Sequence, residues 1–133
     1  MPTQFLNPPD LGPTAGWTHV VTSTGGRTIH VSGQVSVDGR GQLVGKGDLQ
    51  AQTEQTFANL AVALKAAGAS FRDVVKMNLY VVGLTPELVP LIREVRARYI
   101  NRETPPASTF VGVSALVGAD WLIEIEAVAV VTD

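Results

Sequence analysis

The sequence predicts an α+β fold in which two helices cover one face of a mixed β-sheet. Two observations predict it: apolar residues alternate with polar ones in five short segments, and they recur at helical spacing in two longer ones. Along the chain these segments follow the order β-β-α-β-α-β-β. With 133 residues, the chain is long enough to form one domain with its own hydrophobic core. We therefore expect a single domain that spans residues 1–133.

The N-terminal region is predicted to form an extended arm followed by two strands. Residues 1–16 contain four prolines and two glycines, which do not continue a helix. The alternation of apolar and polar residues predicts the first strand over 17–22 and the second over 28–37. Gly25 and Gly26 mark the turn that joins these strands.

The first helix is predicted to begin at Leu49. Asp48 suits the preceding N-cap position, because its carboxylate accepts a hydrogen bond from the free backbone amides of the first turn. Gly68 marks the C-terminal end of this helix. One apolar stripe runs along it, formed by Phe57, Leu60, Ala61 and Leu64.

A strand over residues 74–82 and a second helix come next. The regular part of this helix is expected to start near Pro90, since proline removes a hydrogen bond from a helix interior, and to end near Ile100. The strand alternates between a core side and a polar side. On the core side we expect Val75, Met77, Leu79 and Val81, opposite Lys76, Asn78 and Tyr80.

The last two strands are predicted over 105–116 and 122–131, the first entered through a pair of prolines. In the final strand Glu124 and Glu126 share one face, because side chains alternate across a strand. Burying an ionised carboxylate without a partner costs several kcal/mol. The glutamate-bearing face must therefore lie in water, in a subunit interface or in a functional site.

Apolar residues also occur on the second face of the predicted sheet, where the helices cannot cover them. Val74, Val82, Val128 and Val130 are expected there, on the same face as the glutamates. A sheet that is apolar on both faces needs a covering layer on each. We therefore expect the second face to pack against another subunit.

Composition excludes several classes of protein. The chain has no cysteine, and no segment approaches the roughly 20 apolar residues of a membrane span. Its N-terminus has neither the basic region nor the apolar run of a signal peptide, so a cytoplasmic location is expected. The net charge of −2 makes nucleic acid an unlikely partner, because the arginines of the second helix alternate with glutamates.

Several segments carry a family resemblance. The strand over 105–116 followed by 122–131, the Val-Ser-Gly-Gln sequence at 31–34, and the junctions at 66–69 and 73–76 are similar to the Rid family (YjgF/YER057c/UK114). The resemblance extends from about Gly16 to Val131. It implies a chorismate-mutase-like (YjgF-like) fold, a homotrimer with sites in the clefts between subunits, and hydrolysis of reactive enamines and imines.

The resemblance also implies site residues, of which some differ here. Ser108 stands where deaminating members have an arginine that binds the substrate carboxylate. Trp17 stands where they usually have tyrosine, and Arg93 where an asparagine is expected. The positions that match are Gly33, Gln34 and Glu124.

Each candidate residue has a structural alternative. Glu124 is either the residue that holds a water or an amine, as a general base must, or a carboxylate bonded across the trimer interface. Glu126 is interpreted as structural. Ser108 has no histidine and aspartate at a spacing that would activate a nucleophile, and is interpreted as a small polar lining of the cleft.

Four other residues complete the sequence-based hypotheses. Thr109 and the backbone around Phe110 either donate hydrogen bonds to a ligand oxygen or only pair strands. Trp17 either forms an aromatic wall or packs the arm onto the sheet. Neither His19 nor His30 has a second ligand at metal spacing, so no metal is expected.

The leading hypothesis is a Rid-like homotrimer that binds a small-molecule substrate and hydrolyses enamine or imine intermediates. The glycines show no phosphate-loop pattern, and no cofactor is expected. The rival hypothesis is a non-catalytic trimer that binds a small ligand or another protein. The family also carries a ribonuclease label, which keeps an RNA ligand as a minor alternative.

Overall fold

The computed structural model describes residues 3–132. They form two helices, a four-stranded sheet and a separate two-stranded sheet. The strands are β1 (Thr3–Leu6), β2 (Val20–Ser23), β3 (Arg27–Gln34), β4 (Val74–Val82), β5 (Ala107–Val113) and β6 (Ile123–Val131), and the helices are α1 (Leu49–Ala66) and α2 (Val89–Ala97).

The four-stranded sheet is mixed, as the sequence predicts, with the strand order β3-β6-β4-β5. β6 pairs antiparallel with β3 on one side and with β4 on the other. β4 and β5 are parallel, and α2 provides the crossover between them. Both β4 and β6 are therefore central strands, and the two glutamates lie in the middle of the sheet.

The N-terminal prediction is only partly correct. The predicted arm contains strand β1 and a short 3-10 helix at Pro9–Leu11, while its first two residues, Met1 and Pro2, lie outside the described residues. β1 pairs with β2, so the first predicted strand belongs to the small sheet and not to the main one. β2 starts at Val20, which leaves Trp17 in the bend before it.

The core lies between the main sheet and the two helices, which both cover the same face. Asp48 caps α1 as predicted, since its carboxylate accepts a hydrogen bond from the Ala51 amide at 3.0 Å. The predicted stripe of α1 is buried apart from Ala61, which is half-buried. The fully buried apolar residues include Phe57, Leu60 and Leu64 of α1, Met77, Leu79 and Val81 of β4, Ile92 of α2, and Ile123 and Ile125 of β6.

One predicted orientation is wrong. The pairing of β4 with β6 shifts between Val74 and Lys76, which is the signature of a bulge. Val74 is therefore 2% exposed and lies in the core, whereas Val75 is only half-buried. The extra residue reverses the alternation at the start of the strand, so Val74 does not contribute to the face that carries the glutamates.

α2 is shorter than predicted. It ends at Ala97 rather than near Ile100, and a 3-10 turn at Pro86–Leu88 precedes it. Among residues 3–132, no helix is long and apolar enough to cross a membrane.

Candidate functional site

The predicted site residues lie on opposite faces of the main sheet. Thr109 pairs with Asn78, which alternates with the buried residues of β4, whereas Ser108 pairs with Met77 in the core. Glu124 pairs with Tyr80, on the same side as Asn78. Two regions follow from this division. We call them the glutamate face, formed by Lys76, Asn78, Tyr80, Thr109, Glu124 and Glu126, and the arginine pocket, formed by Trp17, Arg93, Arg96, Ser108 and Phe110.

On the glutamate face, the Glu124 carboxylate lies directly over Gly33. A Cβ atom built on Gly33 would overlap Oε2 of Glu124, so a side chain at position 33 would displace this carboxylate. The approach occurs where the pairing of β3 with β6 shifts between Val31 and Gln34. Gly33 and Glu124, which both match the family pattern, are therefore in contact because residue 33 has no side chain.

Gln34 lies immediately after this shift in pairing. Its side-chain amide donates a hydrogen bond to the Ser32 carbonyl at 3.2 Å, so it supports the irregular backbone next to Gly33. Its place in a substrate site stays a prediction.

The other glutamate is held by its neighbours on β4. The Tyr80 hydroxyl donates a short hydrogen bond to the Glu126 carboxylate, and the Asn78 amide donates to the same oxygen at 3.3 Å. The hydrogen bond to Glu126 raises the pKa of Tyr80, and burial and the Glu126 charge raise it further. Within residues 3–132, by contrast, no side chain is hydrogen-bonded to Glu124. Glu126 thus has the contacts of a structural residue, and Glu124 remains available to a ligand or a water.

A shallow depression of about 420 Å³ borders both glutamates. Its other walls are Tyr80 and residues of the β5 end and the following loop. Thr109 lies further along the same face, where its hydroxyl accepts a hydrogen bond from the Lys76 ammonium at 3.3 Å. Thr109 is therefore on the other side of the sheet from Ser108 and Phe110, its neighbours in the predicted set.

The arginine pocket is a cavity of about 200 Å³ on the helix side of β5. Trp17 reaches it because Thr18, which is buried, bonds to the start of β5: its amide donates to the Pro106 carbonyl at 3.1 Å, and its hydroxyl donates to the Pro105 carbonyl. Cζ of Arg93 lies 5.9 Å from the Trp17 ring centroid, within cation–π range.

Ser108 contributes a buried hydroxyl to this pocket. Among the described residues its Oγ has no hydrogen-bond partner. A buried polar group without a partner costs free energy unless a ligand or a water bonds to it. Ser108 is half-buried and lines the same cavity as the arginines, and its role as the small polar lining of a cleft stays a prediction.

Arg96 is the site residue that the sequence analysis missed. It is 5% exposed, and its Nη2 would lie 2.9 Å from a Cβ built on Gly16, so the guanidinium rests against the chain just before Trp17. Burial lowers the pKa of Arg96, and the nearby Arg93 charge lowers it further. The helical periodicity could have revealed it, because Arg96 lies four residues after Ile92, on the buried side of α2.

A larger depression, of about 760 Å³, lies away from both regions. Its lining comes from Ser70–Arg72, Ala97 and residues 99–103, and it contains none of the predicted site residues. Size therefore does not identify the site in this fold. Within the described part of the chain, no three histidine or acidic side chains are arranged to hold a metal ion.

Comparison with known proteins gives three consistent matches. The family model described as Endoribonuclease L-PSP matches residues 9–131. A RutC family protein of Pyrococcus horikoshii is 38% identical over 104 residues, which are 78% of this chain and 79% of that protein. The human 2-iminobutanoate/2-iminopropanoate deaminase is 34% identical over 105 residues, which are 78% of this chain and 73% of that protein.

A solved structure is similar over nearly the whole chain. It is a Yersinia pestis protein of unknown function from the conserved Rid protein family, 41% identical in sequence, with a TM-score of 0.91. The match covers 98% of this chain and 100% of that one. Because the match covers nearly the whole chain, it includes the mixed sheet and both helices. These elements carry the glutamate face and the arginine pocket.

Proposed function

Because the chain belongs to the Rid family, also known as the endoribonuclease L-PSP family, we propose that it hydrolyses reactive enamines or imines of small metabolites in clefts between the subunits of a homotrimer. The name of the human relative, an iminobutanoate and iminopropanoate deaminase, supports this reaction class. The observation that carries the proposal is the contact between Glu124 and Gly33, since it places a carboxylate without a hydrogen-bonded side-chain partner in the described chain on the face of the sheet that the helices leave uncovered.

The division of the site between two faces supports a shared cleft. In a ring of three identical subunits, two different surfaces of the chain meet at each contact. If one surface carries the glutamate face and the other the arginine pocket, each cleft receives Glu124 from one copy and Ser108 from the next. A single chain keeps these two groups on opposite sides of its sheet.

Apolar residues on the glutamate face support burial there. Val82, Val128 and Val130 are half-buried in the single chain, and Val111 of β5 is 37% exposed. Covering them with another copy would remove apolar surface from water, which favours association. We expect three copies of the 14.1 kDa chain, about 42 kDa in total, in light scattering.

Glu124 has the chemistry that imine hydrolysis requires. Its carboxylate accepts a proton from a water molecule while the water oxygen bonds to the imine carbon. The proton then passes to the nitrogen and gives a carbinolamine. The hydroxyl proton of the carbinolamine follows to the nitrogen as the carbon–nitrogen bond breaks, and ammonia and a carbonyl compound leave. No redox partner is needed, because water supplies both the oxygen and the hydrogens.

Replacing Glu124 tests the proposal. Glu124→Gln keeps the shape of the side chain but removes its ability to accept a proton, so the hydrolysis rate should fall by about 100-fold or more. The matched control is Glu87→Gln, an exposed glutamate at the turn before α2, which should keep the wild-type rate. The assay follows the loss of imines generated in situ, and light scattering checks that both variants keep the wild-type mass.

Ser108 favours a second candidate function, a non-catalytic trimer that binds a small ligand. The charged group that deaminating relatives are expected to have at this position is absent. Turnover by the wild-type protein that disappears in Glu124→Gln would support the enzyme. Equal turnover in both proteins would remove Glu124 from the mechanism, and no turnover on any imine would favour the binding protein.

A further inference from the structure

We propose that Arg96, together with Arg93 and the Ser108 hydroxyl, forms a binding site for the carboxylate of a small organic anion. This inference rests on the proposed function for the cleft in which the anion would react. The positive charge that binds the carboxylate would lie on α2 in this protein, whereas the family resemblance implies that deaminating members carry it on the strand, at the position of Ser108.

The first observation is that Arg96 is a buried cation without a counter-ion in the described chain. The ion pairs found near α2 within residues 3–132 belong to Arg98, which lies 3.2 Å from Glu54 and 3.7 Å from Glu94. A charge that is removed from water without a partner carries a large desolvation cost. Such an arrangement is expected where the partner is supplied by a ligand.

The second observation is a second guanidinium beside the first. Arg93 lies three residues before Arg96, so both emerge on the same side of α2 and border the same cavity. Two like charges repel each other, which further raises the free energy of the pocket when no anion is bound. A bound anion would reverse this cost, because it interacts favourably with both guanidinium groups.

The third observation is the composition of the pocket walls. No aspartate or glutamate side chain borders the arginine pocket. No aspartate or glutamate borders the adjoining cavity of about 380 Å³ either. This cavity is also lined by Arg93 and Arg96, and in addition by Arg102. Arg93 and Arg96 therefore line two cavities that no acidic residue of the described chain borders, while Glu103 lines the larger depression that shares Arg102 with the second cavity.

The fourth observation is the unpartnered Oγ of Ser108, which is independent of the arginines. A hydroxyl donates a hydrogen bond to a carboxylate oxygen, and this one is buried in the wall of the same cavity. Serine is also small enough to leave the space between β5 and α2 open. An arginine at position 108 would occupy that space beside two other guanidinium groups.

The size and walls of the pocket define the ligand class. A volume of about 200 Å³ suits a molecule of a few heavy atoms, and Trp17 and Phe110 offer aromatic surfaces for a flat apolar part. We therefore assign the site to small carboxylates. Dicarboxylates should bind more tightly than monocarboxylates, because more than one guanidinium is available to them.

Binding measurements on stable compounds test the site without requiring turnover. Calorimetry should detect binding of 2-oxobutanoate and tighter binding of 2-oxoglutarate to the wild-type protein, and both affinities should fall as salt rises. Arg96→Met should weaken the binding of both compounds by about 10-fold or more. The uncharged 2-oxobutanamide should bind equally to the wild-type protein and to Arg96→Met.

Two further variants control for folding and for general loss of charge. Arg96→Lys keeps the charge and should retain part of the affinity that Arg96→Met loses. Arg98→Met removes an exposed arginine of the same helix that borders neither cavity, and it should bind both carboxylates as the wild-type protein does. Light scattering and thermal unfolding confirm that each variant keeps its assembly and fold.

Two results of the binding and light-scattering measurements would overturn the inference. One is wild-type affinity for both carboxylates in Arg96→Met. The other is dissociation of the Arg96→Met protein into smaller species, because Arg96 would then be paired with an acidic residue of another copy. The proposed function fails separately: Arg96-dependent binding without any imine hydrolysis would refute the enzyme and keep the site. Conversely, Glu124-dependent hydrolysis that is insensitive to Arg96 and to the substrate carboxylate would keep the enzyme and refute the site.

Discussion

Glycine is required at position 33 because a side chain there would overlap Glu124. The Glu124 carboxylate occupies the space that a Cβ atom would need. The position is not one of positive φ, so other residues could adopt its backbone conformation. The requirement for glycine therefore comes from the neighbouring carboxylate and concerns the site more than the fold.

Gly33→Ala should displace Glu124 while leaving the fold intact. The Glu124 side chain is flexible enough to move away from the added methyl group, so stability should change little. Misplacing a reacting group by about 1 Å typically costs about 100-fold in rate, and we expect a loss of that order in imine hydrolysis. Gly39→Ala is the matched control, because a Cβ there would meet no atom within 4 Å. A Gly33→Ala enzyme with the wild-type rate would show that the position of Glu124 is unimportant.

At the scale of residues, the sequence predicts what depends on local periodicity. The two-residue period of β6 correctly separates Glu124 and Glu126 from the buried Ile123 and Ile125. The period of α2 also contains the signal for Arg96. Two features depend on segments that are distant in the sequence: the contact between Glu124 and Gly33, and the lack of a hydrogen-bond partner for the Ser108 hydroxyl in the described chain. No residue spacing predicts either of them.

The pairing of β4 with β6 sets the different roles of the two glutamates. It places Tyr80 and Asn78 around Glu126 and leaves Glu124 free of hydrogen bonds within residues 3–132. Because the pKa of Tyr80 is raised above its ordinary value of 10.0, the bond to Glu126 contributes fully to stability below about pH 10. That contribution is lost as the pH rises through the raised pKa.

Alkaline titration tests this strand contact. Glu126→Gln removes both the charge and the strong acceptor, so the pKa of Tyr80 should fall toward its ordinary value. Ultraviolet absorbance follows tyrosinate formation, and Tyr80→Phe identifies which of the two transitions belongs to Tyr80, since Tyr99 is the other tyrosine. An unchanged Tyr80 transition in Glu126→Gln would contradict the hydrogen bond.

At the scale of elements, the sequence predicts the helices and the central strands well and the irregular segments poorly. The sequence does not predict β1, because its proline-rich surroundings indicate an extended arm. The contacts that stabilise β1 come from its pairing with β2. The reversed orientation of Val74 follows from a single inserted residue in the β4 pairing. A bulge leaves no consistent mark in the alternation of apolar residues, so periodicity alone does not locate it.

The molecule as a whole presents two incomplete halves of one proposed site. Glu124 lies on one face of the sheet, and Arg96 lies on α2, which covers the other face. In the proposed ring of three copies, each cleft combines the glutamate face of one subunit with the arginine pocket of the next. The sequence predicts Glu124, Arg93 and Ser108 as candidate site residues but not Arg96. Only the fold reveals that one chain separates Glu124 from the other two.

Mixing two inactive variants tests this shared cleft most directly. Glu124→Gln and Arg96→Met subunits, refolded together, should form mixed trimers in which one cleft of three receives both Glu124 and Arg96. Random assembly from equal amounts makes about three quarters of the trimers mixed, so about one quarter of all clefts should be intact. We predict that, at substrate concentrations far below saturation, the mixture recovers about a quarter of the wild-type hydrolysis rate, although each variant alone has about a tenth of that rate or less. If mixed trimers form but hydrolyse imines no faster than the two variants do alone, the result contradicts a site shared between subunits.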